Sequence, residues 1–260
     1  NSLFSEHSRN LVGMIHLDAL PGAPDYCGDI DTILRKALTD AKTLVDAGFD
    51  GLMVENYNDV PFYKDKLPPE SIAALTRCAL EIKRAYPQVP LGVNALRNDA
   101  LSALSIAHIT QCEFIRVNVL CGAVVTDQGL IEGCAAQLLR LKRSLSSNVA
   151  IWADLDVKHA QPLAAYDDEQ FLSDLVVRGR ADCVILSGTG TGQPTCAKRV
   201  NELVKRASVP VAVGSGINED NLSQYEAHVL IVGTALKENY EIVAHRAEAL
   251  VRLRNALRAD

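Results

Sequence analysis

The sequence predicts an α/β protein built as one (β/α)8 barrel, a TIM barrel, spanning residues 1–260 with residues 1–10 as an N-terminal extension. Three observations predict it. Short β-branched or apolar runs alternate with amphipathic stretches along the chain, the pattern of parallel strands joined by right-handed crossovers. Eight such units can be read, and about 250 residues is the usual length of an eightfold barrel. No linker, low-complexity segment or shift of composition divides the 260 residues. A doubly wound parallel sheet is the competing arrangement.

The elements follow in order. LVGMIHL (11–17) is the first strand. Ile30, Ile33, Leu34, Ala37, Leu38, Ala41, Leu44 and Val45 then recur at helical spacing and form one buried stripe. Asp29 or Asp31 caps that helix and Gly48 ends it. GLMVE (51–55) is the second strand, followed by a helix from about Pro68, with proline at its start and Pro87 past its end. PLGVN (90–94) is the third, followed by a helix over 100–110. FIRVNV (114–119) is the fourth, with a helix over 131–145. VAIWADLD (149–156) is the fifth, with a helix over 168–177. CVILS (183–187) is the sixth, with a helix over 195–207. PVAVG (210–214) is the seventh, with a short helix after Asn218. VLIVG (229–233) is the eighth, closed by a helix over 242–258.

Composition excludes several classes. A net charge of −6 without a basic tract argues against a nucleic-acid partner. No apolar run reaches the ~20 residues of an integral membrane segment, and no signal peptide is visible. The seven cysteines are odd in number and form no CxxC. They read as small hydrophobes in a reducing compartment. The chain is expected to be cytoplasmic.

Alternation along each strand sends every second residue into the barrel, while the others face the helices and must be apolar. His16 and Asp18 then point inward from the first strand, Glu55 from the second and Asn94 from the third. Arg116 and Asn118 do so from the fourth, and Trp152, Asp154 and Asp156 from the fifth. Burying a polar group costs ~1–3 kcal/mol unless it is paired. Five strands each spend that cost at the same end, the end where barrel chemistry sits. A self-satisfied internal network is the bland alternative.

The last strands supply a different signal. Gly214, Ser215 and Gly216 follow the seventh strand, and Gly233 and Thr234 follow the eighth. Glycine lets backbone N–H groups approach an anion, and barrels often hold phosphate with these two loops. Gly188 and Thr189, in SGTGTGQP after the sixth strand, join them as phosphate- or sugar-binding candidates. Ordinary tight turns are the alternative.

The segments VGMIHLDALPGAP, AGFDGLMVENYNDVPF, VTDQGLIEG, ADLDVKHA, LSGTGTG and VGSGI together resemble the BtpA/SgcQ family over about residues 10 to 258. That resemblance implies a ribulose-phosphate-binding barrel. One member of the family is associated with photosystem I accumulation, and another lies in a carbohydrate-related gene cluster and carries the label nucleosidase. Asp156 stands where many relatives carry histidine, which weakens the case for Asp156 relative to Asp154.

Two function classes follow. In the first the protein is an enzyme on a phosphorylated sugar or nucleoside-like small molecule, with His16, Glu55, Asn94, Arg116, Asn118, Asp154, Asp156 and Lys158 as its catalytic candidates. Asp154 or Glu55 is the general base, and Arg116 or Lys158 stabilises developing negative charge. Lys158 is also a Schiff-base candidate or a salt-bridge partner of Asp156. No cofactor can be named. A divalent metal held by Asp154, Asp156, His16 and Glu55 is a variant of this reading. In the second class the protein is a non-catalytic assembly factor with a vestigial pocket. Homo-oligomerisation is expected from the fold class. Asn56, Asn58 and Asp59 bind sugar hydroxyls or make turns, and Asp127 sits where a lid would. His159 is read as structural, and His108 and His245 as surface or packing residues.

Overall fold

The computed structural model describes residue 4 and residues 9–156, 160–163, 167–188 and 194–259. In chain order the strands are β1 (Asn10–His16), β2 (Gly51–Glu55), β3 (Leu91–Asn94), β4 (Phe114–Val117), β5 (Ala123–Thr126), β6 (Gly129–Glu132), β7 (Ala150–Asp154), β8 (Ala160–Pro162), β9 (Cys183–Leu186), β10 (Val211–Val213), β11 (Val229–Val232), β12 (Lys237–Glu238) and β13 (Glu241–Ile242). The helices are α1 (Ile30–Ala47), α2 (Pro69–Ala85), α3 (Ala100–Thr110), α4 (Ala135–Ser144), α5 (Asp168–Ser173), α6 (Ala197–Arg206) and α7 (Ala244–Ala259). Eight strands close a parallel barrel in the order β1-β2-β3-β4-β7-β9-β10-β11 and back to β1.

Parity works as the alternation demands. Outward residues such as Ile15, Val54, Val93, Ile115 and Ile151 join the large core between strands and helices. Inward residues Val12, Met14, Met53, Phe114, Trp152 and Ile185 form a second core inside the barrel. Phe114 stacks on Trp152 with centroids 4.0 Å apart. Gly92 makes this possible, since a Cβ there would lie 2.2 Å from the Phe114 ring. Helix punctuation is local. Asp29 caps α1 by accepting from the Asp31 N–H, and Gly48 ends it at φ 96°.

Four expectations need correction. The helix over 131–145 begins only at Ala135. The residues before it form the β5–β6 hairpin, which pairs with β8 into a three-stranded antiparallel sheet. Val124 and Ile131 bury with Val119 in a cluster of their own, and Gly129 turns the hairpin at φ 95°. The helix over 168–177 is α5 plus a π-turn over Asp174–Arg178. The short helix after Asn218 is a 3-10 turn, Leu222–Gln224. Ile242 lies in a β12–β13 hairpin rather than in the last helix, which starts at Ala244.

Among the described residues no helix is long and apolar enough to cross a membrane. All seven cysteines are free thiols; Cys78, Cys112 and Cys183 are buried, while Cys27 and Cys196 are exposed.

Candidate active site at the carboxyl end of the barrel

Register builds the site. His16 lies beside Glu55, Glu55 beside Asn94, and Asn94 beside Arg116 across four consecutive parallel strands. Registered neighbours point to the same side of a sheet, so these four side chains share one level of the barrel interior. Trp152 is the next neighbour of Arg116, and Asp154, two residues further along β7, reaches the same level. All five polar groups are buried.

They bond to one another. Asn94 Nδ2 donates to Glu55 Oε2 at 2.5 Å. His16 Nε2 lies 3.9 Å from Glu55 Oε1. Arg116 grips Asp154 through Nη2 at 2.9 Å and Nε at 3.1 Å, a charge-assisted fork. Burial works against the Arg116 charge, but the Asp154 and Glu55 carboxylates more than offset it and hold the guanidinium above its ordinary value. Asn118, just past the end of β4, also donates to Asp154. Its Oδ1 is buried with no hydrogen-bond partner among the described residues.

Two cavities meet here. An inner one of about 110 Å³ is lined by His16, Glu55, Asn94, Arg116 and the glycines after β10 and β11. An outer one of about 690 Å³ lies between the β5–β8 sheet and the ends of β7 and β9, with Asp154 in its wall. Asn118 lines both.

The glycine wall has a steric origin. A Cβ at Gly214 would lie 2.6 Å from Ser187 Oγ and 3.1 Å from Arg116 Nη2, so only hydrogen leaves room for the guanidinium. Gly216 turns at φ 72°, a conformation that favours glycine. The Gly188 N–H donates to Ser215 Oγ at 2.7 Å and stitches two of the loops together. Thr234 is exposed at the rim, and Gly233 borders His16. Lys158, His159 and Thr189 lie outside the described residues.

Parity fails beyond the strand ends. Asp18 does not enter the cavity; it pairs with Lys36 of α1 at 2.6 Å. Asp156 does line the outer cavity, but it is paired with Arg199 of α6 at 2.5 Å, and Arg199 also holds Asp168. Burial raises the Asp156 carboxyl above its ordinary value, though Arg199 pulls the other way. The four metal candidates therefore divide into His16 with Glu55, Asp154 on Arg116, and Asp156 on Arg199. Each aspartate faces a guanidinium, which repels a cation. Among the described residues no group of three or more His, Cys, Asp or Glu side chains could hold a metal ion.

Asn56, Asn58 and Asp59 tie loops together. Asn56 exchanges hydrogen bonds with the Leu96 backbone, Asp59 accepts from the Leu20 N–H, and Asn58 donates to Leu17 O. Asp127 sits at the tip of the β5–β6 hairpin and lines the outer cavity. His245 is exposed and pairs with Glu238, while His108 lies at the opposite barrel mouth.

Several site residues escaped the sequence reading. Ser187 follows the inward Cys183–Ile185 parity and was legible. Arg97, buried at the inner cavity, lies three residues past Asn94 on a loop, where alternation gives no signal. Burial draws the Arg97 guanidinium below its ordinary value, against the pull of Asp154, Asp127 and Glu55. Tyr57 stacks on the His16 ring at 4.1 Å. Lys237, from β12, lies 2.8 Å from His16 Nδ1.

The profile of the BtpA family matches residues 7–256. The chain belongs to the BtpA family. A protein of unassigned function from Pyrococcus furiosus is 45% identical over 254 residues, covering 95% of both chains. The photosystem I biogenesis protein BtpA of a Synechocystis strain is 42% identical over 236 residues, covering 89% of this chain and 82% of that one. Among solved structures, phosphoribosyl anthranilate isomerase from Thermus thermophilus superposes with a TM-score of 0.61 at 12% identity, covering 96% of this chain and 100% of that one. That likeness bears on the fold alone. This BtpA-family chain shares the closed eight-stranded barrel, and its site must be read from its own residues.

Proposed function

We propose that this BtpA-family protein is an enzyme that acts on a phosphorylated sugar or nucleoside-like small molecule by general acid–base chemistry at the carboxyl face of the barrel. The observation that carries this reading is the Asn118 oxygen. A network kept only for structure would satisfy its own members, because an orphaned buried acceptor costs ~1–3 kcal/mol. Here an acceptor is left over at the junction of two cavities. A substrate hydroxyl or N–H arriving there would complete it.

In this reading Glu55 takes the proton, since its carboxylate lines the inner cavity beside His16 and Asn94. Arg116 and Arg97 stabilise negative charge as it develops. Asp154 holds Arg116 in place. Gly188, Gly214, Ser215, Gly216, Gly233 and Thr234 form the phosphate end, and Thr189 is a further candidate on the sequence alone. Lys158 stays a charge-stabilising candidate on the sequence alone. The protein works in the cytoplasm, as one barrel domain that self-associates. The wider family's carbohydrate and nucleosidase associations agree with this substrate class.

The second reading is an assembly factor without turnover. The Synechocystis relative, named for photosystem I biogenesis, favours it. A thermal-shift screen with sugar phosphates, nucleosides and divalent metals separates the two, because a ligand of the native state raises the melting temperature by mass action. A shift with ribose or ribulose phosphates that is lost in Thr234→Asp supports the enzyme. A flat screen overturns it.

A further inference from the structure

The sharpest unexplained contact in the site is Lys237 Nζ against His16 Nδ1, at 2.8 Å. Two N–H donors cannot face each other at that distance, so one nitrogen must offer a lone pair. An ammonium has none, whereas a neutral imidazole has one. The groups around Lys237 decide which partner keeps the proton. Burial and the neighbouring Lys36 draw the amine below its ordinary value, while the carboxylates of Asp40, Glu55 and Asp18 hold its proton on. Tyr57 packs flat on the imidazole at 4.1 Å, and Lys237 lies 5.8 Å from the Tyr57 ring centroid. The charges of Asp40, Glu55 and Asp18 thus partly offset burial at the amine, while Tyr57 stacks on the imidazole ring.

We propose that Lys237 is a positioning residue that locks His16 as the neutral tautomer with its proton on Nε2. The ring nitrogen that faces Glu55, 3.9 Å away, is then an N–H donor. His16 lines the inner cavity. It therefore serves the site as a neutral hydrogen-bond donor to a substrate oxygen, and it cannot act there as a base. The proton acceptor is Glu55. A neutral imidazole is a useful electrophile because protonating a substrate oxygen and polarising it demand different acidities. The hairpin that carries Lys237, β12–β13, follows the eighth strand, so the last strand–helix unit sets the protonation state of a residue on the first.

This inference deepens the acid–base reading above, and it is tested without substrate so that the two can fail separately. The probe is two-bond 1H–15N correlation spectroscopy of the histidine-labelled full chain, with His16 assigned by loss of its signals in His16→Gln. The expected spectrum at neutral pH has a bare Nδ1 and a protonated Nε2. In Lys237→Met the ring should gain a proton more readily, because Glu55 remains and the competing cation is gone. Lys237→Arg, which keeps a charged donor, should retain the wild-type pattern. A proton on Nδ1, or an imidazolium at neutral pH, in the wild type overturns the proposal outright, whatever the variants do. So does a Lys237→Met spectrum identical to wild type. If the tautomer is as stated but no sugar phosphate binds, the proposed function falls and the Lys237 assignment stands.

Discussion

The two mouths of the barrel are built by the same strands with opposite chemistry. On β4, Phe114 and Arg116 both point inward, and on β7 so do Trp152 and Asp154. The aromatic member of each pair lies toward the amino end and stacks with its neighbour at 4.0 Å. The charged member lies two residues on and pairs with its neighbour at 2.9 Å. Phe4 of the N-terminal extension packs on the aromatic pair, 5.8 Å from Trp152. The amino mouth also holds the larger cavity, about 960 Å³ against about 110 Å³ for the polar one. Size alone does not distinguish the mouths, since the outer cavity adds about 690 Å³ at the polar end. Parity says which side chains face inward, and position along the strand says whether they meet a core or a site.

That contrast can be broken by substitution. At the amino mouth, Trp152→Ala should cost ~3–5 kcal/mol of stability in urea unfolding, because it empties a stacked core. Any ligand found in the thermal-shift screen should still bind. At the carboxyl mouth, Asp154→Ala should cost a similar ~3–5 kcal/mol, because Arg116 is left buried without its counter-charge. Here ligand binding should disappear as well. If Trp152→Ala abolishes binding at retained fold, the two mouths are not separate.

A smaller effect is expected at Asp40 of α1, whose charge reaches Lys237. Burial in α1 raises Asp40 to about 6 from an ordinary carboxylate value of 3.8. The folded state holds the proton more tightly than the unfolded chain. Stability from this group is therefore complete below pH 3.8 and lost as pH rises through about 6. The loss is about 3 kcal/mol at most. Asp40→Asn should flatten the urea midpoint between pH 4 and 7 and leave the variant more stable at neutral pH. A steeper profile in the variant would contradict the assignment.

Glu55→Gln sharpens the site itself. Gln can still accept from Asn94, so the stability change should stay within about 1.5 kcal/mol. Turnover of any substrate identified should fall by about 10²–10⁴-fold as the general base is lost. The smallest effect should come from Asp156→Asn. That carboxylate belongs to a half-exposed pair with Arg199, worth about 0.2–1 kcal/mol, and ligand binding should be unchanged. Binding lost in Asp156→Asn would put Asp156 back into the site.

Much of the fold was legible because parallel barrels write themselves in local pattern. Alternation predicted the inward facing of His16, Glu55, Asn94, Arg116 and Asp154, and each runs inward from its strand. It misplaced Asp18, and it did not foresee that Asp156, at the outer cavity, is paired with Arg199, for one reason. Both lie two residues past the end of a strand, where the backbone no longer alternates and a helix cation is within reach. It missed Arg97, on a loop, and Lys237, on the two-residue β12, because neither segment is long enough to carry a period. The β5–β6–β8 sheet was read as loop and helix because VTDQGLIEG is too short to show which period governs it.

The sequence alone determined the strand count, the parity and the clustering of polar tips at one end, because these follow from periodicities of two and 3.6 residues. Tertiary structure decided the pairings. Arg116 holds Asp154, Arg199 holds Asp156, and Lys237 faces His16 from 221 residues away. Such partners are fixed by barrel closure and by where loops fold back, and neither leaves a mark on the spacing of residues along the chain.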